Sequence, residues 1–373
     1  MAASKSLTLK RLLQSTAAHP QAALCDPLLL QALHECCLQL PAFPTRVAVA
    51  LSGGLDSASL ALHLAVWASA HSIPVYSFHV HHGLQAVADQ WQQHVGKLAQ
   101  QLGLHVAHQR VHVDLNQGLG MEASARDARY LAFQTMAQRA QLSHVFLAHH
   151  LDDQAETVLL RLLRGAGPEG LGAMRPVSER QGVLYLRPWL DVARSRLEPV
   201  GIALQQHLGW SPVQDLTNHA DDYTRGALRE RLTPQLNARW PSWQQVLGRH
   251  ARLSQQHAVV LQEVAAQDLQ TLQPSMKPYG FDLKAWRALS PERQALVLRH
   301  WLRAAGVNMP TEARLADWMR QLRSLHALGF DRQMQVKHGE HLLVCRQGRV
   351  ELISPLIEKI SASAQHKTRN SLE

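Results

Sequence analysis

A doubly wound α/β fold, a mostly parallel sheet followed by a helical linker and a small α+β module, is predicted by three observations. Short apolar runs at 47–51, 75–80, 105–113 and 145–148 alternate with stretches of helical periodicity, the pattern of strands joined by crossover helices. A glycine-bearing turn, Ser52 to Ser57, sits between the first of these runs and an apolar helix that continues to about Ala70. Beyond Pro188 the alternation stops and the chain becomes helical and polar, rich in Gln and Arg, through about Gln273. With 373 residues the chain exceeds one typical domain of roughly 100–200 residues, so more than one module is expected.

Residues 1–45 form a helical extension, in which Leu28, Leu29, Leu30, Leu33, Leu38 and Leu40 mark a helix that stops before Pro41 and Pro44. The sheet domain is placed at 46–238, with a further strand at 184–186 just before Arg187 and Pro188. A helical linker follows at 239–280. The module at 281–355 carries an amphipathic helix at 291–305, with Leu296, Leu298, Trp301 and Leu302 on its apolar side, and strands near 333–336 and 342–350. The tail at 356–373, rich in Ser, Ala, Lys and Asn, has a disordered composition.

Composition narrows the class. Hydrophobic residues at 46% and charged residues at 18% are ordinary globular values, and no apolar run reaches membrane-spanning length, so no membrane partner is expected. Cys25, Cys36, Cys37 and Cys345 form no C-x-x-C pair, which points to reduced thiols and a cytoplasmic protein. Residues 1–21 lack the apolar core of a secretory signal, and an organellar leader stays open as the alternative. The net charge of +9 suits a polyanionic partner, although basic surfaces also occur without one. Oligomeric state is not legible, and a homodimer is left open.

The strongest local signal is Ser52-Gly53-Gly54-Leu55-Asp56-Ser57 between strand and helix. Two glycines let backbone amides approach phosphate oxygens, and the helix start adds its positive dipole end. No lysine follows the glycines, so this is not G-x-x-x-x-G-K-S/T, and the glycines are adjacent, so it is not G-x-G-x-x-G either. Asp56 places a carboxylate beside phosphates, which makes sense with Mg²⁺ between them. All six residues match the loop of the N-type ATP pyrophosphatases, which this segment resembles. That resemblance implies an adenine nucleotide alpha hydrolase-like fold, ATP as cofactor, and pyrophosphate as leaving group.

A second constellation follows the fourth strand: His149, His150, Asp152, Asp153, Gln154, Glu156 and Thr157, on a helix that runs from Asp152 to Gly165 with Arg161 and Arg164 near its end. Asp153 and Glu156 are three apart and share a face at the carboxyl end of a strand, where such sheets bind ligands. Two acids there suit a cationic substrate; the plainer alternative is an N-cap and a solvated acid. Arg126 and Arg129, one turn apart, are candidates for steadying phosphate charge, with a helix-surface charge as the alternative. His79, His81 and His82 lack a carboxylate or cysteine at metal spacing, which favours nucleotide or nucleic-acid contacts over zinc, and for His149 and His150 core packing and an active-site role are the alternatives, with the strand-end position favouring the latter.

Taken with Glu122 to Tyr130, Leu186 to Leu190, Gln214 to Asn218 and Tyr223 to Leu236, this block resembles the tRNA(Ile)-lysidine synthases over roughly residues 46 to 350. Departures are Gly226, where the family usually has Asn, and Glu230, where it usually has His; a further C-terminal domain of longer members is not seen. The resemblance implies joining of free L-lysine to C2 of the wobble cytidine of tRNA(Ile) with a CAU anticodon, through an adenylated tRNA, with release of AMP and pyrophosphate. It implies Asp56, Arg126, His149, Asp153 and Glu156 as catalytic, and Ser52, Gly53, Gly54, Leu55, Asp56 and Ser57 as the ATP loop. Asp153 and Glu156 would bind the lysine ammonium, Asp56 would hold Mg²⁺, and Arg187, Arg225 and Arg229 would contact tRNA, with the C-terminal module reading tRNA shape. Two alternatives are a tRNA thiolation enzyme of the same superfamily, which usually needs paired cysteines, and a non-catalytic RNA-binding protein.

Overall fold

The computed structural model describes residues 10–81, 83, 88–112, 121–213, 224–276, 278–325 and 334–353. His82, Gln214 to Asn218, Tyr223 and the 356–373 tail lie outside the described residues. Two compact units are present, Met1–Gln255 and Gln256–Glu373.

The first unit is built on a six-stranded sheet of β1 (Val47–Ala50), β2 (Val75–His81), β3 (His105–Arg110), β4 (His144–Phe146), β5 (Val177–Arg180) and β6 (Val183–Leu186), in the order β3-β2-β1-β4-β6-β5. All neighbours pair parallel except β5, which runs antiparallel to β6. Side chains alternate along β1. Val47 and Val49 enter one core, with Leu60, Leu64 and Trp67 of helix α2 (Leu55–Ser69), while Ala48 enters the opposite core with Phe78, Tyr130 and Phe133. Both faces are therefore covered, as a parallel sheet requires. The direction of winding reverses between β1 and β4, so the loops leaving these two strands flank the crevice where doubly wound sheets take ligands.

Helix α1 (Pro27–Leu38) is set by its cap: Asp26 Oδ1 accepts from the Leu28 and Leu29 amides at 2.7 and 3.2 Å, and Pro27 occupies the first turn. Its Leu29, Leu30 and Leu33 join the same core as β1. Three further helices cover the sheet: α3 (Ala88–Gln101), α4 (Met121–Arg139) and, after β4, α5 (Leu151–Leu163). The edge strand β5 had no sequence signal. Its residues Val177, Ser178, Glu179 and Arg180 show no apolar alternation, and it forms because Gln181 (φ 54°) and Gly182 (φ 78°) make a tight positive-φ turn into β6. Helix α6 (Glu198–Leu208) ends at Gly209, which is left-handed at φ 61°.

The division between units falls inside helix α7 (Trp243–Thr271). The second unit has an antiparallel sheet, β7 (Ser275–Met276), β8 (Tyr279–Asp282), β9 (Met334–His338), β10 (His341–Arg346) and β11 (Arg349–Ile353), ordered β7-β8-β11-β10-β9. Helices α8 (Leu283–Ala288), α9 (Pro291–Ala304) and α10 (Glu312–Ser324) supply Trp286, Trp301 and Trp318 to its core. The expected single strand at 342–350 is two strands, because Gln347 (φ 49°) and Gly348 (φ 75°) turn the chain back on itself. Among the described residues no helix is long and apolar enough to cross a membrane.

Candidate functional site

Strand β1 hands directly into the glycine turn. Gly53 takes φ 98°, and a Cβ on it would lie 3.1 Å from Val95 Cγ2 and 3.2 Å from Val213 Cγ2, while its carbonyl accepts from the Val213 amide at 2.9 Å. Glycine is thus required there by the protein itself. Gly54 differs: it is extended at φ −77°, caps α2 without a side chain, and a Cβ would come no closer than 3.8 Å, to Ser52 Oγ. Its lack of a side chain leaves the α2 amide end open to an approaching anion. Ser57 braces the turn, its Oγ accepting from the Ser52 amide at 3.2 Å and donating to Gly54 O at 3.0 Å. From beneath, His79 Nδ1 donates to Leu51 O at 2.9 Å, and burial lowers its pKa.

An isolated bridge from His150 to Trp189 carries the sheet past the end of β4, and α5 starts at once. His150 is buried, with Asp153 Oδ2 at 3.3 Å and Asp56 Oδ2 at 3.7 Å from Nε2, and Asp152 Oδ2 at 3.5 Å from Nδ1. These are charge contacts on the long side for hydrogen bonds. Burial would lower this imidazole's pKa, but Asp152, Asp56 and Asp153 outweigh it and raise it to about 10. Asp153 also accepts from the His150 amide at 3.1 Å, which fixes the start of α5. Glu156 is buried, and both of its oxygens take one guanidinium: Arg229 Nε donates to Oε1 at 2.6 Å and Nη2 to Oε2 at 2.9 Å. The same Nη2 lies 3.5 Å from Asp153 Oδ1. The pair expected to hold an ammonium therefore already holds a cation.

Successive residues leaving a strand point to opposite sides, and here the two sides have opposite fields. His149 sits among arginines. Burial first, then the charges of Arg187, Arg126, Arg225 and Arg129, push its pKa well below the ordinary value, and its buried Nδ1 has no hydrogen-bond partner. A neutral imidazole thus adjoins a charged one.

Arg126 lies over the Tyr130 ring at 5.2 Å, and its Nη2 reaches Tyr130 OH at 3.4 Å. Arg225 Nη2 donates to Thr157 Oγ1 at 3.2 Å on α5. Arg187, expected at a tRNA phosphate, is only 4% exposed, and its Nη1 is engaged by Arg175 O at 3.1 Å and Ser178 Oγ at 2.9 Å. Arg229, expected in the same role, is instead locked onto Glu156. His81 Nε2 meets Asp89 Oδ1 at 3.0 Å, beside Arg110. His150, for which the sequence offered core packing or an active-site role, is buried against three aspartates, one of them Asp152, which the sequence offered as an N-cap. Arg194, whose Nε is 3.5 Å from Asp56 Oδ1, was not singled out, since it comes from a segment after β6 with no motif at all.

The PP-loop domain family matches residues 30–236, and the TilS substrate binding domain family matches residues 281–351. With the sheet order and the bare glycine turn, the first match defines the class: a PP-loop, ATP-using protein. The tRNA(Ile)-lysidine synthase of Bordetella bronchiseptica is 51% identical over 311 residues, covering 82% of this chain and 89% of that protein. That of Ralstonia nicotianae is 41% identical over 285 residues, 76% of this chain and 60% of its own length. Among solved structures, the U34-tRNA thiolase NcsA from Methanococcus maripaludis aligns at 16% identity over 61% of this chain and 78% of its own, with a TM-score of 0.48. The chain belongs to the tRNA(Ile)-lysidine synthase family.

Proposed function

We propose that this enzyme joins L-lysine to C2 of the wobble cytidine of tRNA(Ile) bearing a CAU anticodon, forming lysidine at the expense of ATP. One observation carries the reading beyond family membership: buried His150 contacts both Asp56 of the phosphate loop, at 3.7 Å, and Asp153 of the acid pair, at 3.3 Å. That shared contact supports placing the nucleotide and amine sites side by side.

The chemistry follows from leaving groups. The C2 oxygen of cytosine departs poorly, so it first attacks the α-phosphorus of ATP; the bond to the bridging oxygen breaks and pyrophosphate leaves. The lysine ε-amine then attacks C2, the C2–O bond breaks, and AMP departs. Ser52 to Ser57 hold the departing pyrophosphate through backbone amides, and Arg126 and Arg225 face the charge on the adenylate phosphate. His149, neutral among arginines, is a hydrogen-bonding group on that side rather than a further cation.

The ε-amine arrives protonated, with an ordinary pKa of about 10.4, so it must be bound as a cation and then deprotonated. Asp153 and Glu156 bind it. Asp153 Oδ2 is committed to the His150 amide, whereas both Glu156 oxygens are turned to the Arg229 guanidinium, which supports Glu156 as the proton acceptor. Asp56 suits Mg²⁺, because its Oδ1 is buried without a hydrogen-bond partner beside the loop, a hard oxygen donor of the kind that shares the ion with substrate phosphates. When bound, the ion supplies charge neutralisation for the phosphates. The remaining tRNA contacts fall to the second unit, which carries the family's substrate-binding module.

A thiolation chemistry is not favoured by the cysteines. Cys25, Cys36 and Cys37 belong to or flank α1, burial raises all three thiols, Cys36 to about 11 and Cys25 to about 12, and Cys345 lies in the other unit. The deciding assay incubates the purified protein with unmodified CAU transcript, ATP, Mg²⁺ and labelled lysine. Label appearing at the wobble base supports the reading; ATP turnover that requires a sulfur donor instead of lysine rejects it.

A further inference from the structure

The Asp153–Glu156 pair cannot hold two cations at once. Arg229 forks onto both Glu156 oxygens and reaches Asp153, so a substrate ammonium can take that position only by displacing the guanidinium. Arginine keeps its charge at any physiological pH, so loss of a proton cannot release it. Displacement needs somewhere else for the guanidinium to go.

The surroundings provide for movement. The Arg229 side chain is 38% exposed while Glu156 beneath it is 7% exposed, so the cation covers the acid from the solvent side. Arg229 belongs to a π-helical turn, Leu228–Leu232, set between the α-helical segments Thr224–Ala227 and Thr233–Arg239. Such single wide turns are strained interruptions that recur at functional positions. Thr233 Oγ1, at the end of the turn, is buried with no hydrogen-bond partner, so the segment is not in its best-satisfied arrangement. One helical turn earlier, Arg225 faces His149 with Arg126, Arg129 and Arg187. Arg225 and Arg229 are four residues apart, so a phosphate drawn to that basic side would approach the turn that carries Arg229.

We propose that Arg229 is a resident stand-in for the substrate amine, occupying the acid pair until a phosphate group draws it away and opens the lysine site. The inference rests on the reading of Asp153 and Glu156 as the lysine site. Two sources could supply the phosphate, bound nucleotide or the tRNA backbone. In either case lysine enters after its reaction partner, and by thermodynamic reciprocity lysine tightens binding of the phosphate ligand by the same factor.

Equilibrium dialysis of labelled L-lysine with the full-length chain tests this in three arms: protein alone, protein with unmodified CAU tRNA, and protein with a non-hydrolysable ATP analogue. The wild type should bind lysine at least about tenfold more tightly in the arm that supplies the phosphate, a coupling of ordinary allosteric size. Arg229→Gln should bind tightly in every arm. Arg229→Lys, which keeps the charge without the fork, should fall between them and serves as the probe if the glutamine variant fails to fold. Lysine binding by ligand-free Arg229→Gln that is no tighter than wild type overturns the proposal, as does a wild type whose affinity is the same in all arms. Asp153→Asn/Glu156→Gln separates the two levels: if that double variant still binds lysine normally, the acid-pair reading itself fails. If it loses binding while the Arg229 variants behave as wild type, only the stand-in role fails.

Discussion

At the residue scale, adjacent histidines in opposite charge states show how local field overrides residue type. His150 has its pKa raised to about 10, above the ordinary 6.5, so its protonated form stabilises the fold fully below pH 6.5 and that contribution is lost as pH rises through 10. Denaturant titrations should therefore show stability falling between pH 7 and 10, and His150→Gln should flatten that slope. At pH 7 the same variant should be less stable by on the order of 3 kcal/mol, the usual cost of leaving buried charges unpaired. An unchanged slope would mean the three aspartates are neutralised in another way. The glycines make a second pair of opposites. Gly53→Ala should lose stability, by about 1–2 kcal/mol from its left-handed backbone alone. Gly54→Ala, with ordinary φ and no tight contact, should melt like the wild type yet bind ATP several-fold more weakly, since its methyl group fills the anion path. Thermal melts and nucleotide titrations on both variants distinguish the structural glycine from the functional one.

At the scale of elements, α1 is clipped to α2 by one imidazole. His63 Nε2 accepts from the Asp26 amide at 2.9 Å, and its Nδ1 bonds Ser59 O at 2.7 Å. Burial drives its pKa down to about 4, against the raising effects of Ser59 and Asp26. Here the sign is reversed from His150. The unfolded chain takes up the proton first, so stability is full above pH 6.5 and declines as pH falls toward 4, at up to roughly 1.4 kcal/mol per pH unit for one such group. His63→Gln should weaken the fold at pH 7 and reduce its acid sensitivity between pH 6.5 and 4, read from urea midpoints; a variant as acid-sensitive as the wild type would assign that sensitivity to the other buried histidines. None of this clip was legible in the sequence, since His63 looks like any polar position on an apolar helix. Helix α5, by contrast, lay within two residues of its expected span, because an acidic start, a basic end and Gly165 (φ 73°) all speak locally.

At the scale of the whole molecule, a charge of +9 and the arginines gathered around His149 fit a polyanionic substrate. Binding of tRNA should weaken by about tenfold or more between 50 and 200 mM salt, through counterion release, while lysine affinity in the bound complex changes far less. A salt-insensitive tRNA affinity would exclude phosphate contacts as its main source. The arginines differ in what they can contribute. Arg187 is internal and ties Arg175 O, Ser178 and Tyr130 together, so its replacement should reduce stability as well as activity, whereas replacement of half-exposed Arg229 should act on lysine binding.

What the sequence alone determined is what local rules encode: the strand–turn–helix of residues 47–69, the start of α5 with its two acids on one face, and the class of chemistry these imply. Period, capping and glycine placement act over a few residues and can be read there. Only the tertiary structure decided the partners. The reversal of strand order between β1 and β4 brought Asp56 to His150, and the packing of 224–239 onto α5 put Arg229 on Glu156, 73 positions away. Charge contacts depend on distance in space, and residues so far apart in the chain carry no local mark of whom they will meet.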